Sequence, residues 1–230
     1  MRALVYPFLV LLGAFPTLVS SATATTAANA TPGPGPQQLM EQVTRDMQQA
    51  IDADREALAK DPAKLRALID RLLLPHFDTD YAARMVLGLH WRNATESQRK
   101  RFIEAFYQSL MKDYGDAMLQ FKRDQLKILP FRGDAAANTA TVRTEVMREG
   151  KVVPVNFSVR RTPDGWKVWD VTIEGISYAR NFRNDFGTEV NQQGLEHLIK
   201  RLEAQNAGTA QQPPSAAPAA PAPKPAARTG

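Results

Sequence analysis

Asp170 sits inside a strand-like run, Gly165-Trp166-Lys167-Val168-Trp169-Asp170-Val171, and is the residue most open to a chemical role. Strand alternation turns it to the face opposite Trp169, Val171 and Ile173. A carboxylate so placed serves either as a general base toward a small apolar substrate or as an acceptor for the backbone of a neighbouring loop. The loop role is the expectation here. The three histidines, His76, His90 and His197, fall in separate segments without the spacing of a helical metal site. They read as surface or capping residues, as Asp78 and Asp80 read as helix caps. No Gly-x-Ser-x-Gly elbow and no glycine-rich phosphate loop occurs. The chain has no cysteine, which excludes thiolate chemistry, disulfides and Cys-based metal sites. The sequence therefore points away from an enzyme and toward a protein without metal or cofactor.

Its unusual chemistry is apolar. Phe102, Phe106, Leu110, Tyr114, Met118 and Phe121 recur at spacings of four or three, giving a helix one wide aromatic stripe. Val153, Val155, Phe157 and Val159 alternate in one strand pattern, and Trp169, Val171 and Ile173 in another. Such faces form a core by default. Large side chains on both, with small Ala83, Ala105 and Ala117 among them, also suit a shared cavity.

The elements that must hold these faces follow from the same periods. Leu39, Val43, Met47, Ala50, Ile51 and Leu58 mark a first helix. A second begins at Pro62, carries Leu65, Leu68, Ile69 and Leu72, and stops at Pro75. Asp78 or Thr79 caps a third, which carries Ala82, Met85, Val86 and Leu87 and ends near Gly88. Thr95-Glu96-Ser97-Gln98 is a capping box opening the aromatic helix. The second half changes to strands: a short one at Leu126 to Leu129, one from Thr139 to Met147, a tight turn at Glu149-Gly150, a return strand, and a fourth after Pro163-Asp164-Gly165. One last helix is expected around Phe186 to Leu202. Helices first and an antiparallel meander afterwards predict an α+β fold, with N-terminal helices on a curved sheet of about four strands, a C-terminal helix and a pocket enclosed between.

The ends differ. Arg2 followed by an apolar run from Leu4 to Val19, broken by Pro7, Gly13 and Pro16, reads as a signal peptide (1–24) cleaved near Ala22 or Ala24. Residues 25–36 read as a linker, 37–205 as the folded domain, and 206–230 as an Ala/Pro-rich tail. Without cysteine, a lipoprotein anchor is excluded. The formal charge of +5 falls to about +2 once Arg2, Lys224 and Arg228 are set aside, and the remaining basic residues are mixed with acids. That pattern is a solvated surface, not a nucleic-acid footprint.

Two blocks carry a family resemblance. The first is Leu87-Gly88-Leu89-His90-Trp91-Arg92-Asn93-Ala94-Thr95, continuing to Gln98, Phe102 and Phe106. The second is Gly165 to Val171, then Glu174-Gly175-Ile176-Ser177, Asn181-Phe182-Arg183 and Phe186. Together they resemble the MlaC, or toluene-tolerance, family of periplasmic phospholipid-binding proteins, over about Gln37 to Ala204. The resemblance implies a cone related to nuclear-transport-factor-like folds, with a deep apolar pocket for acyl chains. It implies a periplasmic shuttle between an outer-membrane lipoprotein-porin complex and the MCE-domain protein of an inner-membrane ABC transporter, maintaining outer-membrane lipid asymmetry. The Ala/Pro-rich tail departs from the family pattern.

On this view the pocket lies between the aromatic helix and the sheet. Its expected lining is Val86, Phe102, Phe106, Leu110, Val142, Val146, Val155, Phe157, Val159, Trp169, Val171, Ile173 and Phe182, with Arg143, Tyr178 and Arg183 near the mouth. The alternatives are an enzyme of the ketosteroid-isomerase type using Asp170, and an adaptor that packs its aromatic surface on a partner protein.

Overall fold

Local chemistry sets each helix boundary in this computed structural model, which describes residues 34–119, 123–134 and 137–208. The proposed signal segment, most of the linker and tail, and Phe121 lie outside the described residues, as do the side chains of Ala117 and Met118. Helix α1 (Pro36–Lys60) starts on a proline, whose missing N–H is no loss in a first turn, and the Gln38 side chain accepts from the Gly35 N–H at 3.0 Å. It kinks at Asp54 (φ −147°, ψ 30°). Asp61 then caps α2 (Pro62–Leu72), accepting from the N–H groups of Ala63 and Lys64 at 3.0 and 3.1 Å. A 3-10 turn around Pro75, Leu74–His76, leads to α3 (Thr79–Leu87), capped by Asp78 through the Tyr81 N–H at 3.0 Å.

Gly88 ends α3 at φ 54°, ψ −120°, and a side chain there would collide with the Arg183 guanidinium, 2.7 Å from the ideal Cβ. After the short α4 (His90–Asn93), the capping box opens α5 (Glu96–Leu119): Thr95 Oγ1 accepts from the Gln98 N–H at 3.2 Å, and Gln98 Oε1 from the Thr95 N–H at 3.1 Å.

The strands β1 (Leu126–Ile128), β2 (Thr139–Arg148), β3 (Lys151–Thr162), β4 (Gly165–Ile173) and β5 (Ile176–Ser177) form an open antiparallel meander in chain order. The sheet thus has five strands where the sequence pattern suggests about four. The extra one is the two-residue β5, too short to show alternation. The single C-terminal helix of the sequence reading is two: α6 (Tyr178–Gln193) and α7 (Leu195–Asn206). Ser177 caps α6 by accepting from the Arg180 N–H at 3.1 Å, so the helix starts before Phe186, and Gly194 (φ 86°) separates it from α7.

Two apolar clusters result. The first joins Leu39, Val43, Met47 and Ile51 of α1 and Leu65, Leu68 and Ile69 of α2 to the sheet through Val142, Val159, Trp166 and Val168. The second joins α3, α5, α6 and α7 through Val86, Phe102, Phe106, Phe182, Phe186, Leu198 and Ile199.

Candidate functional site: an apolar cavity

A bulge in β4 makes the site possible. Val159 pairs with Val168 but Ser158 pairs with Asp170, leaving Trp169 as the extra residue between them. A bulge bends its strand and re-aims side chains. On one side of it, Trp166 and Val168 pack into the first cluster. Beyond it, Trp169, Val171 and Ile173 border a cavity of about 350 Å³. The 3-10 turn is held to the bulge by the Asp78 N–H, which donates to the Val168 carbonyl at 2.8 Å. Asp78 also pairs with Arg160, whose guanidinium lies 4.5 Å over the Tyr81 ring, and Tyr81 meets Trp169 edge-on at 5.4 Å.

The cavity lies between the two clusters. Its walls are the end of α2 and the 3-10 turn (Ile69, Leu73, Leu74, Phe77), α3 (Thr79, Ala82, Ala83, Val86), α5 (Ile103, Phe106, Tyr107, Leu110, Met111, Tyr114), β4 and the start of α6 (Tyr178, Ala179, Phe182). Phe182 braces Phe106 edge-on at 5.0 Å, so rigid rings hold this wall open.

The polar atoms of the wall are neutral or already engaged. Asp170 is buried, and both its oxygens are occupied: Oδ2 accepts from the Ser177 hydroxyl at 2.6 Å and Oδ1 from the Ala179 N–H at 2.9 Å. It works as the loop acceptor that anchors α6. Burial pushes the Tyr114 phenol up to about 12, and raises Tyr178 and Tyr107 as well, the latter with help from its hydrogen bond to Asp70. These phenols are un-ionised at neutral pH. Among the described residues no cluster of His, Cys, Asp or Glu is fit to hold a metal ion, and no helix is long and apolar enough to cross a membrane. The arrangement can desolvate a long apolar group.

Of the residues named from sequence, the structure brings Val86, Phe106, Leu110, Trp169, Val171, Ile173, Phe182 and Tyr178 to the cavity. Phe102 is wholly buried one layer behind, stacked on Phe106 at 5.6 Å. Val142 and Val159 are wholly buried in the first cluster, with Phe157 packed against it, because α1 covers that part of the sheet. Val146 and Val155 lie on the same sheet face as the wall, Val155 paired with Ile173, but neither lines the cavity. Arg143 pairs with Asn156, on the other face, and Arg183 lies over Gly88. Among the lining residues missed by the sequence reading are two groups of large side chains. Ile103, Tyr107 and Met111 follow the stripe residues Phe102, Phe106 and Leu110 by one position and were legible as its broad edge. Leu73, Leu74 and Phe77 surround a proline turn, where no periodicity marks a face.

Comparison with known proteins agrees with this architecture. A family model described as MlaC protein matches residues 41–204. The toluene tolerance protein ttg2D of Pseudomonas putida is 28% identical over 187 residues, covering 81% of this chain and 82% of that protein. The intermembrane phospholipid transport system binding protein MlaC of Haemophilus influenzae is 25% identical over 172 residues, covering 73% and 80%. A solved structure of the phospholipid-binding protein of Ralstonia solanacearum, in complex with a phospholipid, has the same fold at TM-score 0.72 and 24% identity, covering 77% of this chain and 100% of that one. By the match of its family model over most of its length, the chain belongs to the MlaC family.

Proposed function

We propose that this protein is a phospholipid carrier whose cavity takes acyl chain in place of the bilayer. The observation that carries the reading is the cavity itself: about 350 Å³ bounded by aromatic and aliphatic side chains whose polar neighbours are neutral or engaged. Relatives named for phospholipid transport, and a solved protein of the same fold in complex with a phospholipid, support that cargo. The side chains in contact with it are Val86, Phe106, Leu110, Trp169, Val171, Ile173 and Phe182, with Tyr178 beside them.

The energetics fit the role. Burying a methylene is worth about 0.8 kcal/mol, so two acyl chains of ~30 methylenes disfavour free lipid in water by roughly 20 kcal/mol. An apolar cavity removes most of that penalty, which makes transfer between bilayer and protein near neutral. Direction then comes from the membranes' own machinery. On this reading the protein is exported by its N-terminal signal, works in the periplasm, and passes lipid between an outer-membrane lipoprotein-porin complex and the MCE-domain protein of an inner-membrane ABC transporter.

The test is native mass spectrometry of exported protein purified without detergent, with extraction of what it holds. A mass increment of one or two phospholipids is expected. A protein that stays empty after incubation with phospholipid vesicles overturns the reading.

A further inference from the structure

Among the described residues, four large apolar side chains stand exposed: Leu89, Met147, Val152 and Ile176. Three of them lie at one end of the sheet, Met147 and Val152 on one face and Ile176 on the other. Met147 and Val152 face each other next to the β2–β3 turn, and are 45% and 55% exposed. Ile176, 50% exposed, follows the turn between β4 and β5 and pairs with Ile173. Because Val155 lies opposite Ile173, the antiparallel register places both turns at the same end. Ile173 and Tyr178 are cavity-wall residues of that end.

Basic residues neighbour these side chains along the chain. Arg148 and Lys151 pair with each other at the base of the first turn, and Arg180 lies in the first turn of α6. All three are exposed, and none has an ion-pair partner among the described residues. Nearby Glu145 is already matched by Lys127 at 3.7 Å. Glu149 and Glu174 occupy the two turns, so unpaired cations still outnumber unpaired acids at this end. Exposed aliphatic tips beside unpaired cations complement the boundary of an anionic bilayer. Apolar groups enter below the headgroups, while each Lys or Arg near the surface strengthens binding about fivefold.

We propose that this end of the sheet docks on anionic bilayer surfaces. The hairpin tip enters the interface end-on, with Met147 and Val152 inserting from one face of the sheet and Ile176 from the other, and Arg148, Lys151 and Arg180 meet lipid phosphates. The docking goes beyond the carrier reading and is independent of what fills the cavity.

The experiment is flotation of the exported protein with vesicles of phosphatidylcholine, with and without phosphatidylglycerol. The protein is expected to float with the anionic vesicles and to be released by salt. The double variant Met147→Asp/Val152→Asp is expected to lose retention by about tenfold or more, with melting temperature and bound lipid unchanged. Arg148→Glu/Lys151→Glu is expected to lose it too. Absence of flotation with anionic vesicles, or equal flotation of the Met147→Asp/Val152→Asp variant, overturns the proposal. A variant that floats normally yet fails to engage a membrane protein assigns this end of the sheet to a protein partner and also overturns it. Exported protein that floats but carries no lipid leaves the docking standing and removes the carrier reading.

Discussion

The two apolar clusters are built from different side chains and close differently. The α1–α2–sheet cluster is aliphatic and methionine-rich, with Trp166 as its one buried ring, and its flexible chains fill the space under β2 and β3. The α3–α5–α6–α7 cluster is organised on Phe102, Phe106, Phe182 and Phe186, each in ring contact with at least one other. Rings have two torsions and few ways to give, so they brace against one another instead of collapsing onto the sheet. The cavity is the seam between a cluster that fills space and one that frames it.

The largest effects should come from within the clusters and not from the seam. Phe102→Ala removes a wholly buried ring and should cost ~3–5 kcal/mol of stability, and Ile51→Ala, 1% exposed, ~2–5 kcal/mol. Leu110→Ala, at the half-buried cavity wall, should cost only about 1 kcal/mol. Urea unfolding of the three variants decides it. A Leu110→Ala deficit as large as that of Phe102→Ala would mean that the wall is packed in solution and that the contrast between clusters fails.

That contrast was only partly visible in the sequence. The capping residues Asp78 and Thr95, the proline that opens α2, the stripe on α5 and the alternation in β3 are local signals, and each states its own element. Which apolar face meets which is not local. Val159 and Val171 alternate alike, but α1 covers the first and the cavity lies beside the second, a difference set by the bulge at Ser158/Val159. The break at Gly194 was missed for the opposite reason. Val190, Leu195, Leu198 and Leu202 keep enough helical period to read straight through a glycine whose φ ends the helix.

Between the clusters, Asp170 is the tie to test next. It stands on β4 and accepts from Ser177 and Ala179, so it fixes the start of α6 against the sheet across the seam. Asp170→Ala leaves a buried N–H without its acceptor and should cost about 3 kcal/mol, part of which Asp170→Asn recovers by keeping one carbonyl oxygen. Hydrogen exchange should show the loss concentrated at the start of α6. Uniform loss across both clusters would mean that they unfold as one unit, without a weaker seam.

Tyr114 tests the seam from the other side. Among the described residues its buried hydroxyl has no hydrogen-bond partner, and the Tyr178 ring meets it edge-on at 6.0 Å. An unsatisfied buried hydroxyl opposes folding, so Tyr114→Phe should be neutral or stabilising by up to about 1 kcal/mol. A loss of stability in thermal melts would show that the hydroxyl finds a partner in solution and that the seam is more polar there.

The smallest effect belongs to the outer side of the aromatic half. Arg101 on α5 donates to Glu203 at 2.8 and 2.7 Å and to Glu196 at 2.7 Å, both on α7. These hydrogen bonds hold the two carboxyls below their usual range. A carboxyl whose folded value is lowered contributes stability above its unfolded value of about 4.3, and that contribution fades as pH falls through the folded value. The groups are half-exposed, so the gain is small and screened by salt. Arg101→Gln should therefore melt slightly below the parent at neutral pH and alongside it in acid. A deficit that persists in acid would mean that the arginine stem supports α7 by packing, which would extend the bracing role of the rings to the surface of the same half.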